Sequence, residues 1–315
     1  MGMKVLRAGL LTTVQDIGRW GFQHLGVPVA GPMDVFSHRL ANALIGNDPK
    51  AATLEITLAG PELEFLEDRC FVVAGAAFDL YLDDSFINSN RIINVLSGQC
   101  LRFGRRRRGA RAYLSVEGGI DVPVFLGSRA THTASRMGGF EGRALRDGDV
   151  VSFAVLDETR SRGFSKIFDR RNIVPSGGAD VRVLRSPNGK MFKTRTIERL
   201  FSGRYIVSTE SDRMAFRLQG ESLSMLVYGE MLSMPTSQGA IQVPRDGTPI
   251  VLMADRQTIG GYPVIGNVID ADLPTLGQLV PGDWVRFEEC DNETALRAAI
   301  LKERMLLSQE MDKKC

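Results

Sequence analysis

The hexapeptide GDVVSF at residues 148–153 returns as GDWVRF at residues 282–287, with four identical letters at a constant spacing of 134 residues. In both copies Gly and Asp precede β-branched and aromatic residues, which is typical of a turn that leads into a strand. A motif that recurs at the end of each half of a chain indicates an old internal duplication. The sequence therefore predicts two related β domains in tandem.

A second pair of matching positions is looser. Both halves contain a Gly-Gly dipeptide, beginning at Gly118 and at Gly260, which we interpret as a turn in each half. Its spacing of 142 residues differs from that of the hexapeptide. We infer that any duplication is only loosely kept.

Strand-like segments dominate both halves, since they are rich in β-branched and aromatic residues and are bounded by Gly or Asp. One helix is expected at residues 33–47, MDVFSHRLANALIGN, with Asp34 as its N-cap and Gly46 at its end. A terminal helix is expected from Asn292, with Leu296, Ala299 and Ile300 on an apolar face that packs across the second barrel. The strand segments are 70–84, 91–103, 110–119, 149–156, 180–186, 204–220, 240–255 and 283–289.

The polar, Arg-rich and Gly-rich passage at residues 157–180 lacks a sustained hydrophobic period and is interpreted as a crossover between domains. It places the predicted domains at residues 1–160 and 161–315. The expected fold class is mainly β, with two tandem barrels, a few short helices and the terminal helix.

Composition excludes several classes of partner. The 315 residues include 39 Lys and Arg against 37 Asp and Glu, so the charge of +2 gives no global attraction to nucleic acid or an anionic membrane. No apolar run approaches the ~20 residues of a membrane span. Four scattered cysteines and only three histidines predict a reducing cytoplasm and no metal centre.

Residues 12–34, TTVQDIGRWGFQHLGVPVAGPMD, form the first candidate site. Its glycines permit turns that bring Asp34 back toward Asp16 and Arg19, so that two carboxylates, a guanidinium and backbone amides would converge. The alternative is structural: Asp16 caps a turn and pairs with Arg19, while Asp34 caps the helix. Both interpretations can hold together.

Residues 240–274 form the second candidate site, because the stretch from Asp255 to Tyr262 is too polar for a core strand. The alternative is a charged hairpin with an exposed Asp-Arg pair, which would add little to stability. The candidate side chains beside the glycines Gly260 and Gly261 are Gln242, Asp255, Arg256, Thr258 and Tyr262.

The stretch GRRRRGAR at residues 104–111 has the glycine spacing of a phosphate loop, but Ala110 stands where that motif needs Lys. We interpret Arg105 to Arg108 as a solvated hairpin tip, with a phosphate or partner contact as the alternative.

Several longer motifs together resemble a known family. The chain is similar to the family of allophanate hydrolase subunit 2 and the C subunit of 5-oxoprolinase, often described as biotin-dependent carboxyltransferase-like. The resemblance extends to about Glu289. The matching stretches are residues 9–34 and 54–65, YLSVEGGIDVPVFLGSRAT at 113–131, SDRMAFRLQG at 211–220 and GAIQVPRDGTPIVLMADRQTIGGYP at 239–263.

The resemblance implies two cyclophilin-like β-barrels and a subunit of an ATP-dependent complex that opens 5-oxoproline to glutamate. Implied partners are a subunit 1 type protein, similar to the B subunit of 5-oxoprolinase, and a LamB/YcsF-type subunit. ATP with magnesium would act at the level of the complex, and no biotin is attached to this chain. The alternatives are a carboxyltransferase component of a biotin-dependent urea or amide carboxylase, and a regulatory protein that antagonises a histidine-kinase inhibitor.

The resemblance also suggests roles for the candidate residues. Arg19 and Arg256 would stabilise an oxyanion or position phosphate, whereas Asp16, Asp34 or Asp255 would orient water or a metal-bound nucleotide. The expected cofactor-binding residues are Gln242, Thr258, Gly260, Gly261 and Tyr262.

Overall fold

The computed structural model describes residues 2–156, 174–187, 191–226 and 232–311. It divides into two compact units. The predicted crossover falls largely on residues 157–173, which lie outside the described residues. Unit 1 comprises Met1–Trp20, Ala30–Val174 and Glu303–Cys315, and unit 2 comprises Gly21–Val29 and Pro175–Lys302.

Unit 1 is built on one ten-stranded sheet with the path β2-β3-β8-β4-β1-β10-β9, to which β5 adds β6 and β7. Met3, Leu54 and Phe65 lie in its buried apolar core. The elements are β1 (Gly2–Arg7), β2 (Leu11–Gln15), α1 (Val35–Ile45), β3 (Thr53–Thr57), β4 (Glu62–Phe65), β5 (Arg69–Leu82), β6 (Ser85–Ile87), β7 (Ile93–Val95), β8 (Cys100–Val116), β9 (Ile120–Asp121) and β10 (Val150–Phe153).

Unit 2 contains a closed barrel with the strand order β11-β18-β15-β16-β13-β12-β19, and a separate ribbon of β14 and β17. Closure removes the exposed strand edges at which sheets aggregate. The elements are β11 (Gly178–Arg185), α2 (Thr194–Ser202), β12 (Arg204–Val207), β13 (Ala215–Gln219), β14 (Met234–Pro235), β15 (Ala240–Gln242), β16 (Ile250–Leu252), β17 (Ile259–Gly260), β18 (Val264–Val268), α3 (Leu273–Leu276), β19 (Trp284–Glu289) and α4 (Asn292–Met311).

The repeated hexapeptide forms the same turn in each unit. Gly148 and Gly282 have φ values of 90° and 93°, a region that favours glycine. Asp149 Oδ2 accepts from the Arg146 amide at 2.7 Å, and Asp283 Oδ2 accepts from the Val280 amide at 3.0 Å. The mainly β fold with barrel-like sheets is confirmed, and the motif marks an equivalent strand entry in both units.

The Gly-Gly interpretation is wrong for the second half. Gly118 and Gly119 do form a turn, each with φ of 87°. Gly260, however, lies in β17 and pairs with Met234. A Cβ on Gly260 would lie 2.7 Å from Gln242 Nε2, so this glycine allows the Gln242 side chain to approach the strand closely and does not form a turn.

The hairpin prediction for Arg105 to Arg108 is also wrong, because all four residues lie within the 17-residue strand β8. The long strand β5 pairs with β8 along this region, with three register shifts. Arg107 forms an ion pair with Asp79, and hydrogen bonds from Arg107 lower the pKa of that carboxyl. Pairing with a separate strand therefore places the charge run inside an irregular β ladder.

The helix predictions hold in part. In α1, the Asp34 side chain accepts from the Ser37 amide at 2.8 Å and Gly46 ends the helix in the left-handed region, as expected. The terminal helix α4 also forms, but the predicted face is wrong because Leu296, Ala299 and Ile300 are exposed. Ala298 packs instead with Ile269 and Ala271, since small side chains allow a close approach.

Candidate functional site

Asp16 is a buried acceptor that joins two loops of unit 1. Oδ1 accepts from the Gly18 amide at 2.9 Å and from Ser128 Oγ at 2.6 Å, while Oδ2 accepts from the Arg129 amide at 2.5 Å. These donors hold the residues after β2 against residues 128–129. The carboxylate thus fastens a loop, as in the structural alternative, although its partners do not include Arg19.

We expect Asp16→Asn to lower the free energy of unfolding of unit 1 by about 2 kcal/mol, because the amide nitrogen would face a donor where the carboxylate accepts. Urea unfolding followed by Trp20 fluorescence in a Trp284→Phe background would measure the change. Asp147→Asn is the matched control, since Asp147 also accepts a backbone amide, that of Ala8, but is exposed. An equal loss in both variants would contradict the structural role of Asp16.

The Arg19 side chain is completely buried in unit 1. It donates to the Ala130 carbonyl, and its guanidinium carbon lies 5.9 Å from the centroid of the Phe125 ring. A Cβ on Gly138 would lie 2.2 Å from Arg19 Nη2, so the Arg19 guanidinium packs directly against the backbone at Gly138. Phe125 and Gly138 also line a groove of about 420 Å³. Arg19 is therefore buried beneath the groove and packs against two residues that line it.

Asp34 caps α1 and belongs to a buried polar network that sequence reasoning missed. The Asp34 amide donates to Tyr113 Oη at 2.8 Å, and Tyr113 Oη donates to Glu55 Oε2 at 2.7 Å. Burial is the main cause that raises the pKa of Tyr113 well above its ordinary value. The available signal was Glu55, a charged residue inside the otherwise uncharged strand segment TLEIT.

His38 lies in the same buried region. Its Nδ1 is 2.9 Å from Thr53 Oγ1, and burial lowers its pKa from 6.5 to about 4. Asp16, Asp34 and Glu55 oppose that shift through their charges. The two candidate carboxylates of unit 1 thus both act electrostatically on His38, but both are buried and engaged in holding the backbone.

Asp255 forms a buried ion pair with a residue that sequence reasoning missed. Arg213 donates from Nε to Asp255 Oδ2 at 2.9 Å and from Nη2 to Oδ1 at 3.0 Å. The Asp255 amide also donates to the Arg213 carbonyl at 2.9 Å. The exposed Asp-Arg pair considered as an alternative is therefore wrong: the pair is buried, and the partner is not the neighbouring Arg256.

Arg256 differs from Arg213 in its surroundings. It is 5% exposed, and its Nε has no hydrogen-bond partner among the described residues. Burial lowers its pKa, and no charged group in the part of the chain that the structure describes contributes to the shift. Because guanidinium groups stay charged in proteins, the structure holds a buried cation without a carboxylate in the described part of the chain.

The remaining candidates surround the β14–β17 ribbon. The buried Gln242 side chain lies against Gly260, and the Thr258 carbonyl accepts from the Thr236 amide at 3.0 Å. Gly261 and Tyr262 are exposed beyond the strand. This arrangement presents amides and an aromatic ring at the surface next to the loop that carries Arg256.

The side chains of this loop do not fit ATP with magnesium. A triphosphate needs several cations, and its metal needs free carboxylate or hydroxyl ligands. Asp255 is engaged on both oxygens by Arg213, and Arg256 is a single cation. Within the described ranges no cluster of three His, Cys, Asp or Glu residues is arranged to hold a metal ion, and no helix has the length and apolarity to cross a membrane.

Comparison with known proteins places these units in a family. A family model described as "Carboxyltransferase domain, subdomain A and B" matches residues 25–289. The chain is 38% identical to the C subunit of 5-oxoprolinase from Escherichia coli (strain K12) over 298 residues, which cover 94% of each protein. It is 36% identical to the C subunit of 5-oxoprolinase from Haemophilus influenzae over 285 residues, which cover 90% of each.

A solved structure agrees with this match. The chain superimposes on the crystal structure of the Kluyveromyces lactis urea carboxylase with a TM-score of 0.90 and 33% identity, over 98% of this chain and 29% of that larger one. A likeness of this extent covers both units. The chain belongs to the carboxyltransferase domain family, subdomains A and B.

Proposed function

We propose that this chain is the C subunit of an ATP-dependent 5-oxoprolinase, a cytoplasmic hydrolase complex that opens 5-oxoproline to glutamate. The observation that carries the proposal is the 38% identity to the C subunit of a 5-oxoprolinase over 94% of both proteins. Similarity along the whole length favours a protein of the same role over one that shares a single module.

The proposed reaction consumes one water at the lactam carbonyl carbon, where the ring C–N bond breaks and the nitrogen becomes the amine of glutamate. A second water is consumed as ATP becomes ADP and phosphate. An oxyanion develops at the carbonyl, so a buried cation in a water-poor site is the group that such chemistry needs. The substrate also carries a carboxylate, and Arg256 offers a group that could bind it, since its guanidinium is buried and its Nε has no partner among the described residues.

The proposed partners are a subunit 1 type protein, similar to the B subunit of 5-oxoprolinase, and a LamB/YcsF-type subunit. ATP and magnesium would bind outside the loop of Asp255 and Arg256, because those two side chains do not supply a triphosphate site. The domain boundaries that we propose for this chain remain residues 1–160 and 161–315.

The test is ATP-dependent release of glutamate from 5-oxoproline by this chain alone, by the partner proteins alone and by the complete mixture. We expect turnover only in the complete mixture. If all proteins are folded and associated and the mixture still releases no glutamate, the proposed substrate is wrong.

A second candidate is carboxyl transfer to a urea-like amide, favoured by the TM-score of 0.90 to a urea carboxylase. It predicts that the chain supports ATP- and bicarbonate-dependent carboxylation of urea when a separate biotin carboxylase and carrier are supplied. The two candidates are separated by whether bicarbonate and biotin are required.

A further inference from the structure

We infer that Arg256 is the binding residue for a small monoanion, and that the pair of Arg213 and Asp255 positions it. This inference rests on the proposed function for the identity of that monoanion, which would be the carboxylate of 5-oxoproline. The argument for an anion site itself rests only on the surroundings of Arg256.

The first step is the cost of the arrangement. A buried charge is normally paired or bound to a ligand, because removal from water without compensation is expensive. Arg256 is only 5% exposed, and its Nε has no hydrogen-bond partner in the described part of the chain. Its pKa is lowered by burial, and no carboxylate among the described residues raises it. Such a group destabilises the fold, and a bound anion would compensate its charge.

The second step concerns the nearest carboxylate in sequence. Asp255 directly precedes Arg256, yet both of its oxygens accept from Arg213 at 2.9 and 3.0 Å. The backbone amide of Asp255 is bound to Arg213 as well. The pair with Arg213 thus fixes the backbone next to Arg256. It also engages the neighbouring carboxylate, which therefore does not neutralise the Arg256 guanidinium.

The third step sets the charge of the ligand. Phosphate and nucleotides carry two or more negative charges and are held by several cations or a metal. Among the described residues of this loop, the positive charge left for a ligand is that of Arg256, since Arg213 is engaged by Asp255. One planar guanidinium matches one planar carboxylate through paired hydrogen bonds. The geometry therefore favours a monocarboxylate over a phosphate.

The experiment compares wild type, Arg256→Met and the control Arg245→Met, which replaces an exposed arginine of the same unit. Each protein is tested alone and in complex with the proposed partners, at constant ionic strength. The probes are 5-oxoproline, 2-pyrrolidinone, which has the same lactam ring without a carboxylate, acetate and phosphate. The readouts are the Tm and, for the active complex, KM and kcat.

We expect 5-oxoproline, but not 2-pyrrolidinone, to raise the Tm of wild type and Arg245→Met, with no such rise in Arg256→Met. The Tm of Arg256→Met without ligand should equal or exceed that of wild type, because an unpaired buried charge has been removed. In the complex, KM for 5-oxoproline should rise about 10- to 100-fold in this variant, the effect of losing a charge-assisted pair.

Binding of 5-oxoproline that is unchanged in Arg256→Met would overturn the inference while leaving the proposed function standing. Arg256-dependent binding of acetate, with no effect of 5-oxoproline, would support the anion site and count against the proposed substrate. If no probe gives an Arg256-dependent shift in either the chain or the complex, or if phosphate gives the larger one, the monocarboxylate site is wrong.

Discussion

Replacing Asp255 by Ala is expected to lower the free energy of unfolding of unit 2 by about 3–5 kcal/mol. Arg213 and Asp255 are both buried, and two hydrogen bonds of 2.9 and 3.0 Å join them. Removal of the carboxylate would leave the Arg213 guanidinium charged, buried and without its bidentate acceptor. Arg256, the next residue along the chain, is also buried, and its Nε has no partner among the described residues, so the variant would remove a carboxylate from a part of unit 2 that already holds a buried cation.

The measurement is urea unfolding followed by the fluorescence of Trp284, in a Trp20→Phe background that leaves one tryptophan in the chain. Asp246→Ala is the matched control, because Asp246 is an exposed aspartate of unit 2 that accepts the Thr248 amide at 3.0 Å. The control should lose at most about 1 kcal/mol. An Asp255→Ala loss of the same size would show that the buried pair does not stabilise unit 2.

A double variant separates two contributions to the free energy of unfolding: the net stabilisation by the ion pair, and the penalty of leaving one of its charges buried without a partner. In Arg213→Met/Asp255→Leu, apolar side chains of similar length replace both charges, so no unpaired ion remains from the pair. We expect this protein to be more stable than Asp255→Ala. In the active complex it should also show a raised KM for 5-oxoproline, because the Arg213–Asp255 ion pair would no longer fix the backbone next to Arg256. A merely structural pair would leave KM unchanged.

Local sequence signals were sufficient for the elements that depend only on near neighbours. The helix α1 was predictable because Asp34 and Gly46 satisfy its ends by contacts within a few residues. The turn before β10 and β19 was predictable for the same reason, since its Asp accepts from an amide three residues earlier. Both features were recognisable without knowledge of the fold.

Features that depend on distant residues were not predictable. Arg213 lies 42 residues before Asp255, and Tyr113 lies 58 residues after Glu55, so neither pair leaves a local pattern. Arg105 to Arg108 looked like a loop because their partner strand β5 is remote in sequence. The buried face of α4 was missed because the helix packs through Ala298, whereas large apolar residues dominated the pattern.

The candidate site shows the same limit. Residue type identified the candidates as polar residues in unusual surroundings, namely Asp16, Arg19, Asp34, Asp255 and Arg256. It could not distinguish those that bind other groups of the protein from those that are available to a ligand. Three carboxylates prove to hold backbone or side-chain donors. Arg256 combines burial with an Nε that has no partner in the described residues and with a pKa that no carboxylate raises. That distinction requires the three-dimensional structure, because it depends on every residue that surrounds each candidate side chain.

Acidification is expected to destabilise unit 1 through His38. The folded-state pKa of about 4 lies below the unfolded value of 6.5, so the unfolded chain binds the extra proton first. The stabilisation by neutral His38 is therefore fully present above about pH 6.5 and is lost as the pH falls toward 4. Between about pH 7 and pH 4.5 the loss due to this residue is about 2.5 kcal/mol.

The comparison of wild type with His38→Gln isolates that contribution from the titration of other groups. Glutamine retains a polar side chain near Thr53 Oγ1, which lies 2.9 Å from His38 Nδ1, but it cannot take up a proton in this range. Urea unfolding of both proteins, followed by Trp20 fluorescence in a Trp284→Phe background, should show wild type losing about 2.5 kcal/mol more than the variant on acidification. Parallel losses in the two proteins would mean that His38 is protonated in the folded state, with Asp16, Asp34 and Glu55 outweighing its burial.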